Sequence, residues 1–183
     1  CTGPVRSIQL ISKVPIPEIR TLALDSSSRS SVMLARIILD QGYKVTPETN
    51  VMPPDLAAML GKSDAALIIG DPALRLDPNA DGLHSLDLGE EWFKLTSLPM
   101  VFAIWAGHKQ EPELAKILEA SYEYGKAHLS DIVMAEAAER NIWPGLAFRY
   151  IDSIIQYELT EDHKRGMKLY IEEAMKMEEK YPG

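Results

Sequence analysis

The 183-residue sequence predicts an α/β fold, a parallel or mixed sheet flanked by helices and continued by helices to the C-terminal end. Short apolar runs at Thr21 to Leu24, Tyr43 to Thr46 and Ala65 to Ile69 alternate with stretches of helical period, the β-α-β-α-β order of a parallel sheet. A serine-rich turn joins the first of these strands directly to a helix. Beyond Pro112 the apolar residues recur at helical spacing only.

Taken in order, Val5 to Ser12 places Ile8 and Leu10 on one face between Gly3-Pro4 and Pro15-Ile16-Pro17, and reads as a strand entering the domain. In LALDSSSRSSVMLARIIL, Leu22 to Leu39, the helix rests on Val32, Leu34, Ala35, Ile37, Ile38 and Leu39, with Ser28 and Ser30 as candidate N-caps and Gly42 as its stop. Asn50 to Pro54 forms a loop into a short helix, Pro54 to Leu60, which Gly61 ends. PMVFAIW, Pro99 to Trp105, is apolar on both faces, as expected of a central strand covered on both sides. Trp105 is assigned to the core, with a pocket wall as the alternative. Leu114, Ile117, Leu118, Ser121 and Gly125 mark a helix opened by Pro112, and Ser130 caps the next, to about Arg140. Pro144 opens a third, with Ala147, Tyr150, Ile151 and Ile154 on one face. Thr160 caps a fourth, with Met167, Tyr170, Ile171 and Ala174 facing inward.

Composition narrows the function. A net charge of −8 argues against a nucleic-acid partner, since phosphate backbones need clustered Lys and Arg. The lone cysteine, Cys1, excludes an internal disulfide and fits a reducing compartment. The apolar run Pro99 to Ala106 is far too short to span a bilayer, so no membrane role is expected. His84, His108, His128 and His163 lack partners at ligand spacing, so no metal is expected. No G-x-S-x-G elbow, P-loop or G-x-G-x-x-G is present, so the familiar nucleophilic and nucleotide-binding signatures are missing.

The serine turn is the strongest functional signal. A strand-to-helix junction presents free backbone amides, hydroxyl donors and the positive end of a helix dipole at one point, which suits a carboxylate or phosphate. Ser28, Arg29, Ser30 and Ser31 exceed what capping alone requires, and the bland reading of any single serine is a solvated cap. In a parallel sheet the turn after Ala65 to Ile69 reaches the same edge, which brings Gly70-Asp71-Pro72 towards the serines. Asp71 there has two readings, an acid or base at the crevice and ordinary Asp-Pro turn chemistry. Asp25 is read as a brace for the serine turn. Arg6 beside Ser7 is either a cation near the crevice or an exposed strand charge. A solvated helix turn accounts for Glu90 and Glu91.

Four blocks together, GPVRS at Gly3 to Ser7, LALDSSSRSSVMLARIIL, DAALIIGDPAL at Asp64 to Leu74 and DLGEEWFKLTSLPMVFAIWA at Asp87 to Ala106, resemble the menaquinone-biosynthesis family. Within it they resemble the chorismate dehydratases of the futalosine pathway, and GMKLY at Gly166 to Tyr170 is similar to that family's C-terminal helix. The resemblance implies a periplasmic-binding-protein type 2-like fold and a cytoplasmic carbon-oxygen lyase. That enzyme eliminates water from chorismate, a small dianion, to give 3-[(1-carboxyvinyl)oxy]benzoate without metal or cofactor. On this reading Ser7, Ser28, Arg29, Ser30, Ser31 and Gly70 bind the substrate, and Asp71 is the candidate catalytic group. Residues 5–108 form the α/β ligand-binding lobe and 109–183 the helical region. The N-terminal part of the first lobe, with a Tyr-Leu-Asn block of the family's active site, is then expected to be missing. A cut lobe would expose apolar surface, which favours a homodimer. The alternatives are the sister synthase forming 1,4-dihydroxy-6-naphthoate and a non-catalytic solute-binding protein for a small carboxylate.

Overall fold

The computed structural model describes residues 1–25, 27–77, 82–108 and 111–180. It divides into two compact units, Cys1–Phe102 with Gln156–Gly183, and Ala103–Ile155.

The first unit is built on a five-stranded mixed sheet, β1 (Ile8–Ser12), β2 (Thr21–Asp25), β3 (Glu48–Met52), β4 (Ala65–Ile69) and β5 (His84–Asp87), in the order β3-β2-β4-β1-β5. β2 runs parallel to β3 and β4, while β1 lies antiparallel between β4 and β5. The expected β-α-β-α-β unit is therefore present, through helix α1 (Arg29–Ile38) and helix α2 (Leu56–Lys62). Its three parallel strands end on one edge. α3 (Asp71–Leu74) and α4 (Leu88–Thr96) follow β4 and β5, and α8 (Glu161–Lys180) packs against α1. Leu22, Leu34, Ile37, Leu67 and Ile68 fill the space between sheet and helices at 1% exposure or less. Burying each such side chain contributes about 1.5–3 kcal/mol relative to exposure.

β1 is buried along its whole length, which suits a strand with a neighbour on each side. Its entry is held by one carboxylate. Asp87, the N-cap of α4, accepts from the amides of Val5 (2.8 Å), Arg6 (2.7 Å), Gly89 (3.0 Å) and Glu90 (3.2 Å) and from the Gln9 carboxamide (2.6 Å). β5 carries too little apolar alternation to announce itself in the sequence.

Several expectations are corrected. The third strand is Glu48–Met52, not Tyr43 to Thr46, because α1 runs on into a π-helical turn, Leu39–Tyr43. That turn passes through Gly42 and stops where Lys44 turns left-handed at φ 58°. Val45 is then buried as a plug rather than paired in a strand. A polar strand is tolerated at Glu48–Met52 since it forms the edge of the sheet. α2 begins after its cap Asp55 and passes through Gly61, so that glycine does not end it.

Pro99 to Trp105 forms no strand. The amide of Met100 donates to the Cys1 carbonyl (3.0 Å) and the Cys1 amine to the Met100 carbonyl (2.8 Å), which fixes this stretch against the start of the chain. Trp105, expected in the core, is 84% exposed. Apolar content marked a chain crossing between compact units, which periodicity cannot separate from a buried strand.

The second unit contains α5 (Pro112–Ala127), α6 (Leu129–Glu139) and α7 (Pro144–Arg149), the last continued by a π-turn, Tyr150–Ile154. Pro112 and Pro144 open their helices as expected. Ser130 lies inside α6 rather than capping it, and Leu114 and Ile117 of α5 are exposed. In α8, Thr160 accepts from the His163 amide as a cap (3.5 Å), and the buried residues are His163, Gly166 and Met177, whereas Ile171 is exposed. No helix among the described residues is long and apolar enough to cross a membrane.

Candidate anion-binding site

α1 starts directly at the C-terminal edge of β2, and its first turn is organised by hydroxyls. Ser28 is the N-cap, extended at φ −143°, and its Oγ accepts from the Ser31 amide at 3.2 Å. The same hydroxyl donates to Ser31 Oγ (3.0 Å) and lies 3.3 Å from Ser30 Oγ. Ser30 thus falls inside the first turn, leaving Ser28 alone as the cap. Like those of any helix start, the amides of Arg29 and Ser30 have no intrahelical acceptor. The local result is a set of directed donors backed by the positive end of the helix.

These donors open into a cleft of about 670 Å³. One wall is a stripe of α1, Arg29, Val32, Met33 and Arg36, at the i, i+3, i+4, i+7 spacing of a single helix face. The opposite wall is Tyr170, Ala174 and Glu178 of α8, and Asp25 and Val51 close the strand side. The Tyr170 phenol donates to the Ser30 carbonyl (3.0 Å), so α8 is tied to the same turn that carries the serines. Burial, with a smaller contribution from Glu178, pushes that phenol up to about 12. Its ring meets Trp92 edge-on, centroids 6.0 Å apart.

The basic Arg29 and Arg36 and the acidic Asp25 and Glu178 all line the cleft. Formal charge there is balanced, so any preference for an anion comes from aimed donors. Asp25 braces the turn: its Oδ1 accepts from the Ser27 amide at 2.8 Å.

The residues singled out from the sequence separate into two groups. Ser28, Arg29 and Ser30 line the cleft, with Ser31 buried behind them at 2% exposure. Ser7, Gly70 and Asp71 do not line it. The parallel register of β2 and β4 puts Gly70 on the same sheet edge, its amide donating to the Ser7 carbonyl at 2.7 Å. Gly70 holds φ 71°, a left-handed turn that needs no Cβ, and Asp71 opens α3 just beyond it. The Arg6 guanidinium reaches the Leu76 carbonyl (3.3 Å). Glu91 is more than a solvated acid, since it accepts from the Tyr43 phenol at 2.7 Å and, with burial as the larger cause, raises that phenol to about 12.

Sequence reasoning missed Tyr170, Glu178 and Arg36 as cleft residues. Arg36 was visible as the residue one α1 stripe on from Arg29; the α8 residues had no local signal, because their placement depends on the packing of distant helices. Among the described residues no three His, Cys, Asp or Glu side chains form a metal-binding group.

A mixed α/β sheet flanked by helices, with hydroxyls and helix amides at the start of α1 opening into a cleft, sets the class of the domain. The chain belongs to the menaquinone biosynthesis family, whose sequence profile matches residues 1–176. It is similar to the chorismate dehydratase of Thermus thermophilus, 29% identical over an alignment 188 positions long that covers 93% of this chain and 68% of that protein.

Proposed function

We propose that this chain is a chorismate dehydratase, a hydro-lyase converting chorismate to 3-[(1-carboxyvinyl)oxy]benzoate in the futalosine route to menaquinone, working in the cytoplasm on a periplasmic-binding-protein type 2-like fold. The family match and the named relative support the reaction class. The observation that carries the reading at the level of residues is the serine cluster at the start of α1, open to a cleft whose wall includes the apolar Val32 and Met33. That wall suits a ring, and the donors suit a carboxylate.

In this reading Ser28 and Ser30, with Arg29 and the first-turn amides, hold one carboxylate of the dianion. The first-turn amides are in place before the substrate arrives and stabilise charge without reorganising, while the Ser28 proton turns from Ser31 Oγ to the carboxylate. Ser31 keeps Ser28 in its rotamer from behind. Ser7 and Gly70 shape the adjoining part of the sheet edge, and Asp71, at the head of α3 and outside the cleft lining, is assigned proton transfer to a part of the substrate that extends past the serines along that edge. Removing a ring proton and the neighbouring hydroxide makes the ring aromatic, so the reaction runs downhill and the protein's task is orientation and proton movement.

Incubation with chorismate, followed by mass spectrometry, tests the proposal. A product lighter by one water and carrying a benzoate chromophore is expected. Chorismate recovered unchanged, while the protein binds it, would leave a carboxylate-binding protein in place of an enzyme.

A further inference from the structure

We propose that Asp25 determines which carboxylate the cleft accepts, by taking a hydrogen bond from a hydroxyl that the ligand carries near its carboxylate. This rests on the reading of the α1 start as a carboxylate site. Asp25 is the last residue of β2, lines the cleft and is 1% exposed. Its two oxygens differ. Oδ1 accepts from the Ser27 amide, whereas Oδ2 is buried and has no hydrogen-bond partner among the described residues. A buried acceptor left empty is costly, and a carboxylate oxygen more so than most.

The neighbours restrict what can fill it. Ser28, Ser30 and the helix amides are donors for an anion, but a bare anion placed beside the Asp25 carboxylate would be repelled by it. A ligand with both groups resolves the conflict, its carboxylate facing the donors and its hydroxyl turned to Oδ2. The site then holds carboxylates without the hydroxyl more weakly, because binding them leaves the acceptor unpaired in a water-poor place. For an elimination that consumes a hydroxyl, Asp25 would favour the substrate over a product that has lost it.

Benzoate, 3-hydroxybenzoate and 4-hydroxybenzoate serve as probes, since none can eliminate water. Titration calorimetry on the wild-type protein should show at least one hydroxybenzoate binding about tenfold or more tightly than benzoate. Asp25→Asn keeps the Oδ1 acceptor for the Ser27 amide and puts an amide donor in place of Oδ2. It should abolish that advantage and, by removing the negative charge beside the bound carboxylate, raise benzoate affinity. Equal wild-type affinities for all three probes, or an equal loss for all three in Asp25→Asn, would overturn the assignment and leave the carboxylate site standing. Failure of the wild-type protein to bind any of the three would remove the carboxylate site itself and this inference with it.

Discussion

Ser28 holds the first turn of α1 and, in the proposed function, also binds the substrate, and two substitutions separate these tasks. Ser28→Ala removes the acceptor of the Ser31 amide, a cap worth about 1 kcal/mol, whereas Ser28→Gly costs only a few tenths because glycine caps well. Both strip the buried Ser31 hydroxyl of its Ser28 partner, a further cost of about 1 kcal/mol. Chemical denaturation should therefore show losses of about 2 kcal/mol for the alanine variant and about 1 kcal/mol for the glycine variant. On binding, the Ser28 proton exchanges a neutral hydrogen bond of about 1 kcal/mol for one to a carboxylate of about 1.5–3 kcal/mol, so chorismate affinity should fall roughly twofold to thirtyfold, equally in both variants. Stability separates the pair and affinity does not. If affinity instead followed stability, or held in both, the hydroxyl would be a cap and nothing more.

Other outcomes follow from the packing. A Cβ on Gly166 would sit 2.1 Å from the Pro99 carbonyl, a backbone atom with little room to yield, so Gly166→Ala should destabilise by about 1–3 kcal/mol in urea unfolding. Asp87→Ala leaves the amides of Val5, Arg6, Gly89 and Glu90 without their acceptor, and a loss of at least about 3 kcal/mol is expected on denaturation. Tyr43 and Tyr170 hold their phenol protons up to about 12 in the folded protein, against about 10 unfolded. The folded state therefore binds more protons in that window, so this contribution to stability is full below pH 10 and is lost as pH rises towards 12. Phenolate absorbance during alkaline titration should show these two tyrosines lagging the rest.

Legibility followed the range of the interactions. β2, α1 and β4 were readable because a local pattern and a local cap specify them: Ala65–Ile69 is apolar throughout, and the Ser28 hydroxyl caps its own helix. The third strand was misplaced because Val45 is buried by a π-turn, a backbone choice with no sequence marker, while the edge strand Glu48–Met52 is too polar to read. Trp105 was assigned to the core on apolarity alone, yet apolar residues also occur where a chain passes between compact units. Half of the cleft was legible in the serine turn. The other half, Tyr170, Ala174 and Glu178, comes from a helix some 140 residues away in sequence, whose docking is written in contacts such as the Tyr170 phenol on the Ser30 carbonyl.

A crystal structure with bound 3-[(1-carboxyvinyl)oxy]benzoate tests the central claim most directly. The account predicts a carboxylate within hydrogen-bond reach of Ser28 Oγ, Ser30 Oγ and the first-turn amides of α1. A ligand seated elsewhere, with the serine hydroxyls still bonded only to one another, would contradict it.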